Sequence, residues 1–427
     1  MRIAFVNQPW NPVFPPVESG SIAIWTYEVG RRLARDHEVI LYSMRAPGQP
    51  ARQSIDGIEY RRFPVRLDRW LERMQKRWRA RTTRFSSPPR GTPLFGSSAY
   101  YLGYILQVAR DLRSRGVDIV HVHNLVQFPP VIRALNPNVA IVLHMHAEWL
   151  DQLPPERAEK QLRAVGLLAG CSEYLTGLAR ARFPALAGLC ETIYNGVDPA
   201  RFSPSPQGNG HEAEPSLLYI GRISPEKGIH VLLDAFARVQ AVCPNARLDV
   251  IGPDSATPLD FLVRLTRDAS TAALRRFYPR NYLVQLKEQA AMRGVVNGHL
   301  HFGGSVPHAL TPDRYRQAAL LVNPSLSESF GMSLIEGMAC GLPVVATRVG
   351  GMVEVVDDQR TGLLIAPDDP AALAQSILDL IRDPARRQSM GDEGRRRTLE
   401  RFTWEKVTEK LVGQYKKALK RTDRVTR

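Results

Sequence analysis

Two stretches of the chain carry residues suited to a phosphorylated ligand. In Gly221-Arg222-Ile223-Ser224-Pro225-Glu226-Lys227-Gly228, two cations flank a loop. Arg222 offers a planar, bidentate fork and Lys227 a compact point charge, a pair matched to a diphosphate that departs with two negative charges. Further on, Ser327-Glu328-Ser329-Phe330-Gly331-Met332-Ser333-Leu334-Ile335-Glu336 runs from a small-residue loop into a helix. Gly331 permits close backbone approach, and the amides of Phe330, Met332, Ser333 and Leu334 at the helix start form an anion site. Glu328 in the loop and Glu336 in the helix add carboxylates, which accept hydrogen bonds from sugar hydroxyls. Lys and Arg are also ordinary loop cations, so each stretch alone is equally a solvated turn.

The first half offers fewer such residues. The apolar run Val139 to Leu143 leads into His144-Met145-His146, and the two-residue period of a strand turns both histidines the same way, with His121 and His123 repeating the pattern more weakly. Gly20, in Glu18-Ser19-Gly20-Ser21, precedes helical periodicity over Ile22 to Arg35, a second helix start whose amides suit a phosphate. There is no G-x-G-x-x-G after the first strand and no Walker A sequence. No Asp-x-Asp pair exists to hold a divalent ion on a diphosphate, so no metal site is expected and phosphate charge falls to cationic side chains and helix ends.

These residues need a scaffold, and the pattern supplies one. Short apolar runs alternate with helical periodicity: Arg2 to Val6, Glu38 to Tyr42, Val117 to Val122, Val139 to Leu143, Leu167 to Cys171 and Thr192 to Tyr194, then, past a Pro/Gly-rich segment, Leu217 to Ile220, Ala246 to Ile251, His299 to Phe302, Ala319 to Val322, Val344 to Ala346 and Gly362 to Ile365. This alternation predicts parallel sheets in two α/β halves, and ligands in such folds bind beyond the carboxyl ends of strands. The length of 427 residues and the composition, 44% hydrophobic and 23% charged, exclude a small module, a disordered chain and a disulfide-stapled scaffold. Four dispersed cysteines without a C-x-x-C pair fit a reducing cytoplasm, and no apolar run reaches the length of a membrane span.

As a set, Gly221-Arg222 with Lys227, Glu328-x7-Glu336, Gly341-Leu342-Pro343-Val344-Val345-Ala346, Asn195-Gly196-Val197-Asp198, Gly350-Gly351 with Glu354, Gly362-Leu363-Leu364 and Phe402-Thr403-Trp404 resemble the retaining glycosyltransferases of family 4, along nearly the whole chain. The resemblance implies the GT-B fold, two Rossmann-like domains with parallel sheets facing a cleft and a C-terminal helix crossing back to the first domain. The expected division is 1–198 for the acceptor-side domain, 199–215 for a linker, 216–402 for the nucleotide-sugar domain and 403–427 for the returning helix and basic tail. By resemblance Arg222 and Lys227 neutralise the donor diphosphate, Glu336 contacts the ribose, Glu328 the donor sugar hydroxyls, and His146 the donor sugar. Gly20, Gly221, Phe330, Gly331, Met332 and Ser333 are the remaining donor-binding candidates, although the family's usual second glycine after Gly20 is Ser21 here. The implied activity is metal-independent, retaining transfer from a nucleotide-diphosphate sugar, with no cofactor, to an unidentified acceptor. A nucleotide-sugar epimerase of the same fold and a non-catalytic nucleotide- or lipid-binding protein are the alternatives.

Charge raises one more question. The net charge of +15 favours anionic partners, and residues 61–90 concentrate it, with Asp68 and Glu72 the only acids among eleven cations. Within residues 67–78, Leu67, Trp70, Leu71, Met74 and Trp78 form an apolar stripe, which fits an anionic membrane surface, with peripheral attachment at the inner face, or packing onto the first domain. No nucleic-acid-binding signature accompanies the patch. Between Gly252 and Phe302 lies an insertion with helical pattern over Leu259 to Phe277 and Tyr282 to Met292, of unassigned role.

Overall fold

The structure, a computed structural model, describes residues 1–10, 12–82, 94–206, 215–259, 273–295 and 298–426. The chain forms two units, one comprising Met1–Tyr194 with Glu405–Arg427 and the other Asn195–Trp404.

The first unit is built on strands β1 (Arg2–Val6), β2 (Glu38–Met44), β3 (Arg52–Ile55), β4 (Ile58–Phe63), β5 (Ile119–His123), β6 (Ala140–Met145), β7 (Leu167–Gly170) and β8 (Cys190–Thr192), in the order β3-β4-β2-β1-β5-β6-β7-β8. β5 and β6 are buried at every residue, as continuous apolar runs covered on both faces must be. The sheet is parallel, as the alternation implies, except at its edge, where β3, which like β4 was not among the expected strands, pairs antiparallel with β4. Asp56-Gly57 makes that turn with φ of 51° and 76°, a left-handed pair that matches the twist of a tight hairpin. The Asp-Gly signal was present in the sequence, but β3 is too polar to register as an apolar run.

The second unit contains β9 (Ser216–Ile220), β10 (Arg247–Ile251), β11 (Leu300–Gly304), β12 (Leu320–Asn323), β13 (Val344–Thr347) and β14 (Gly362–Ile365), in the order β11-β10-β9-β12-β13-β14 with every pair parallel. Its core joins Leu217, Leu248, Val250, Leu320 and Val322 to Phe236 of one covering helix and Ile377 of another. The strand order reverses direction between β9 and β12, so the carboxyl ends of these two strands flank the crevice where doubly wound sheets bind ligands.

Two of the quoted motifs meet at the junction segment. The Val197 amide donates to the Phe402 carbonyl at 2.8 Å, and the Trp404 amide to the Val197 carbonyl at 3.2 Å. A Cβ on Gly196 would lie 2.6 Å from the Trp404 ring, so the indole seats only against a glycine. The helix Trp404–Thr426 follows, and from Glu405 onward it belongs to the first unit, with Tyr415 buried and its hydroxyl 2.8 Å from His121 Nδ1. In the insertion, Tyr282–Met292 is a helix and Leu274–Phe277 a 3-10 turn, whereas residues 260–272 of the expected Leu259–Phe277 helix lie outside the described residues.

Candidate functional site

In the second unit the sequence motifs fall on the two loops that flank the reversal. The first loop, after β9, carries Gly221, Arg222 and Lys227, and the second, after β12, carries Glu328 through Gly331. Glu226 clamps them together. Its carbonyl accepts from the amides of Leu326 at 2.8 Å and Ser327 at 3.3 Å, while its buried carboxylate accepts from the Ser224 hydroxyl and, at 2.7 Å, from that of Thr257. Gly228 closes the contact, since its φ of 66° and a Cβ position 2.0 Å from the Pro324 carbonyl oxygen exclude any side chain. Gly221 is confined less strictly, by a side chain, a Cβ there meeting the Tyr219 hydroxyl at 2.7 Å.

The clamp brings Lys227 Nζ to 2.7 Å from Glu328 Oε2, with both side chains less than one-fifth exposed. Arg222 is exposed on the same loop. The helix Met332–Ala339 starts at Gly331 with φ of 97°, an N-cap residue with no side chain to bond the first turn, which makes the amide end at Met332 and Ser333 a candidate anion site. The Phe330 ring is buried and meets Phe402 edge-on at 5.7 Å, so only its backbone is a candidate for ligand contact. The Gly350-Gly351 motif is tied to the same place, the Gly351 amide donating to the Glu328 carbonyl at 3.1 Å. Glu336 is nearly buried, its Oε1 lying 2.8 Å from His308 Nε2 and its Oε2 accepting from the Tyr315 hydroxyl at 2.8 Å. The second unit thus unites two cations, a helix start and two carboxylates, groups able to hold a diphosphate and read hydroxyls.

Sequence reasoning missed Glu226, His308 and Tyr315. Glu226 sat inside a quoted motif but counted only as loop. His308 and Tyr315 come from other elements, and no spacing in the chain links them to Glu336.

In the first unit, Gly20 opens the helix Ser21–Leu33 with φ of 89° and again no side-chain cap. His146 follows β6 and is partly exposed, unlike His144, which is buried and bonded through Nε2 to the Ile193 carbonyl at 3.1 Å. His146 Nε2 lies 3.0 Å from His123 Nδ1, and His123 Nε2 lies 3.0 Å from Thr26 Oγ1. His121, His123 and His144 bring ring nitrogens within 4.8 Å of one another. Each ring is held by a hydrogen bond and all three pack around Trp25, with centroids 5.0 to 5.3 Å away, so we read the group as an aromatic core layer. Burial, together with the neighbouring rings, pushes their pKa values well below the usual histidine value, which keeps them neutral.

The basic segment is corrected in part. Arg61 and Arg62 lie in β4, are buried, and bind Asp111 and the Pro50 carbonyl respectively, so they add nothing to a surface patch. The helix Arg66–Thr82 begins beyond them. Asp68 faces inward, accepting from the Gly103 amide at 2.8 Å, and leaves Leu67, Trp70, Leu71 and Met74 exposed at 38 to 63% among exposed Arg66, Arg69, Arg73 and Arg77. The side chain of Trp78 lies outside the described residues.

Comparison with known proteins places this arrangement. Residues 22–201 match the family model described as Glycosyltransferase Family 4, and residues 204–397 match Glycosyl transferases group 1. The chain belongs to this family of glycosyltransferases. The glycosyltransferase is 25% identical to spore coat protein SA of Bacillus subtilis over 98% of this chain and all of that one. It is 26% identical to lipopolysaccharide 1,2-N-acetylglucosaminetransferase of Salmonella typhimurium, over 95% of this chain and 96% of the relative. Sucrose-phosphate synthase of Thermosynechococcus elongatus superposes with a TM-score of 0.73 at 23% identity, over 97% of this chain and 98% of that one. Anabaena HepE, solved with UDP and glucose, superposes with a TM-score of 0.66 at 18% identity, over the same shares. The glycosyltransferase therefore has the GT-B fold.

Proposed function

We propose that this glycosyltransferase takes its sugar from a nucleoside-diphosphate sugar, transfers it with retention of anomeric configuration and without a metal ion, and works at an anionic membrane surface. The observation that carries the donor assignment is the convergence of Arg222, Lys227 and the uncapped helix start at Gly331 on the two loops at the reversal of the second sheet. These groups stabilise the negative charge that develops as the diphosphate leaves. In the reaction, the acceptor oxygen bonds to the anomeric carbon as the bond from that carbon to the phosphate oxygen breaks, and the departing phosphate takes the acceptor's proton. Because attack and departure share one face of the sugar, configuration is retained without a protein nucleophile, a course implied by the family resemblance. Glu328 is assigned to the sugar hydroxyls, Glu336 to the ribose, and His146 to sugar chemistry in the first unit.

Two relatives support parts of this reading. HepE was solved with UDP and glucose, and the Salmonella relative is named for transfer to lipopolysaccharide. A membrane site is supported by the exposed apolar stripe of the helix Arg66–Thr82, bordered by arginines, which suits insertion at an anionic interface. None of the four cysteines is in a disulfide, in keeping with a position on the cytoplasmic side. No helix among the described residues is long and apolar enough to cross a membrane.

The test is incubation of the purified chain with a panel of nucleotide sugars. Slow release of free nucleoside diphosphate with water as acceptor, accelerated by a glycan-bearing membrane extract and giving product of unchanged anomeric configuration by NMR, is expected. An isomerised nucleotide sugar with no diphosphate release would identify an epimerase, and binding without turnover a non-catalytic protein.

A further inference from the structure

We propose that His308 and Tyr315 are positioning residues which hold the Glu336 carboxylate ready to receive the ribose hydroxyls of the bound nucleotide; the proposal rests on the assignment of Glu336 to the ribose. The protons of this group can be placed from the donors present. Arg201 Nη2 lies 3.3 Å from His308 Nδ1, and a guanidinium only donates, so Nδ1 carries the lone pair. The single ring proton then sits on Nε2 and is donated to Glu336 Oε1, 2.8 Å away. Tyr315 donates to the other oxygen, Oε2, at 2.8 Å. Its hydroxyl stays protonated, since complete burial, with Glu336 alongside, holds its pKa well above the ordinary value.

Each carboxylate oxygen thus receives one hydrogen bond from a rigid ring, which fixes the plane of the group. An ionised carboxylate has about four acceptor positions, so about two remain for a vicinal diol. The identity of the donors matters as well as their number. A lysine or arginine in their place would neutralise Glu336 and weaken it as an acceptor, whereas a neutral imidazole and a phenol orient the charge and leave it available to hydroxyls.

The scaffold behind the two rings is built for this purpose. Phe202 packs against His308 with centroids 5.4 Å apart and against Tyr315 at 6.0 Å. Arg316 donates to the carbonyls of Arg201 at 3.0 Å and Ser203 at 2.9 Å, stitching the Arg201–Ser203 segment to the helix Thr311–Gln317 that carries Tyr315. Arg201, itself lying over the Phe202 ring at 5.4 Å, is thereby held where it sets the His308 tautomer.

The experiment is calorimetry on the full chain with the tightest binder among UDP, GDP and ADP and with its 2′,3′-dideoxy analogue. The wild-type protein is expected to prefer the ribonucleotide. Tyr315→Phe, which removes one oxygen, and His308→Phe should each weaken the ribonucleotide by about tenfold and leave the dideoxy analogue unchanged, while His308→Gln, which restores a donor, recovers part of the loss. Equal weakening of both nucleotides would mark a structural role only, and unchanged preference for the ribonucleotide in both Phe variants would dissociate the rings from ribose recognition; either result overturns the proposal alone. A wild-type protein that binds both nucleotides equally, or none of the three diphosphates, would overturn the ribose assignment of Glu336 and the proposal with it.

Discussion

Lys227 and Glu328 form a part-buried ion pair at 2.7 Å, joining the cation assigned to the diphosphate with the carboxylate assigned to the donor sugar. An arriving diphosphate must therefore compete with Glu328 for the ammonium. Glu328→Gln removes that competitor, so free nucleoside diphosphate should bind several-fold more tightly while transfer falls at least tenfold through the lost sugar contact, by calorimetry and a turnover assay on the same preparation. Weaker nucleotide binding in this variant would move Glu328 to the nucleotide side of the site.

The role proposed for Arg222 and Lys227 is to act on charge that grows as the leaving group departs. Replacing either with Ala should lower kcat/KM by roughly 10²-fold, about 2.7 kcal/mol of transition-state stabilisation. The Arg222 side chain is exposed and, among the described residues, forms no hydrogen bond or ion pair, so its variant should keep the wild-type melting temperature. Near-normal turnover in both variants would sink the assignment.

If the diphosphate charge is met by side chains and a helix start, as proposed, transfer should persist in reactions containing excess EDTA, with no more than a modest ionic effect. Complete loss of activity, restored by Mg²⁺ or Mn²⁺, would require a metal at the donor site.

The stripe of Leu67, Trp70, Leu71 and Met74 should bind vesicles that contain anionic lipid, with each nearby Arg adding about 1 kcal/mol and the attraction fading as salt rises. In a sedimentation assay, changing Trp70 and Leu71 to Ser should reduce binding without altering the circular dichroism, since both side chains are exposed. Equal binding to neutral vesicles, or none to either kind, would detach this helix from any membrane role.

The buried histidines give the first unit a pH dependence of definite sign. The folded pKa values of His121, His123 and His144 are depressed below the ordinary 6.5 by burial. Below that pH the unfolded chain binds protons that the folded chain refuses, so stability falls as pH drops through about 6.5 and is flat above it, each ring contributing up to about 1.4 kcal/mol per pH unit. Hydrogen exchange of β5 and β6 peptides should accelerate beyond the intrinsic rate change between about pH 6 and 5, and His144→Gln should make the dependence shallower by about one proton. An unaltered slope would mean that His144 titrates as an ordinary histidine.

Much of this protein is legible without coordinates. Apolar runs such as Ile141-Val142-Leu143 and Val344-Val345-Ala346 announce strands because a parallel sheet covered on both faces has no use for polar alternation. Residues that follow such runs are the ones a doubly wound sheet presents to a ligand, which is why Arg222, Lys227, Glu328 and Gly331 could be picked out by position alone. Their loops are local, and local chemistry is what a sequence records directly. The hairpin strands Arg52–Ile55 and Ile58–Phe63 both escaped, because their polar and charged residues break the apolar run and their membership of the sheet rests on backbone pairing.

What the chain order conceals is which distant groups share a hydrogen bond. Glu226 looks like one more loop acid until its carbonyl is seen holding Leu326 and Ser327, and Arg61 and Arg62 look like surface charge until β4 turns them inward. The same basic helix, readable from its sequence as core or as interface, has its apolar stripe exposed because Asp68 turns inward to the Gly103 amide and Glu72 accepts from the Tyr101 hydroxyl at 3.1 Å. His308 and Tyr315 meet Glu336 across separate elements, and the geometry that gives each carboxylate oxygen one donor arises from side-chain packing over Phe202. Residue types and periodicity determined most of the sheets and the loops to which the chemistry is assigned; partners, protonation and exposure depend on distances that exist only once the chain has folded.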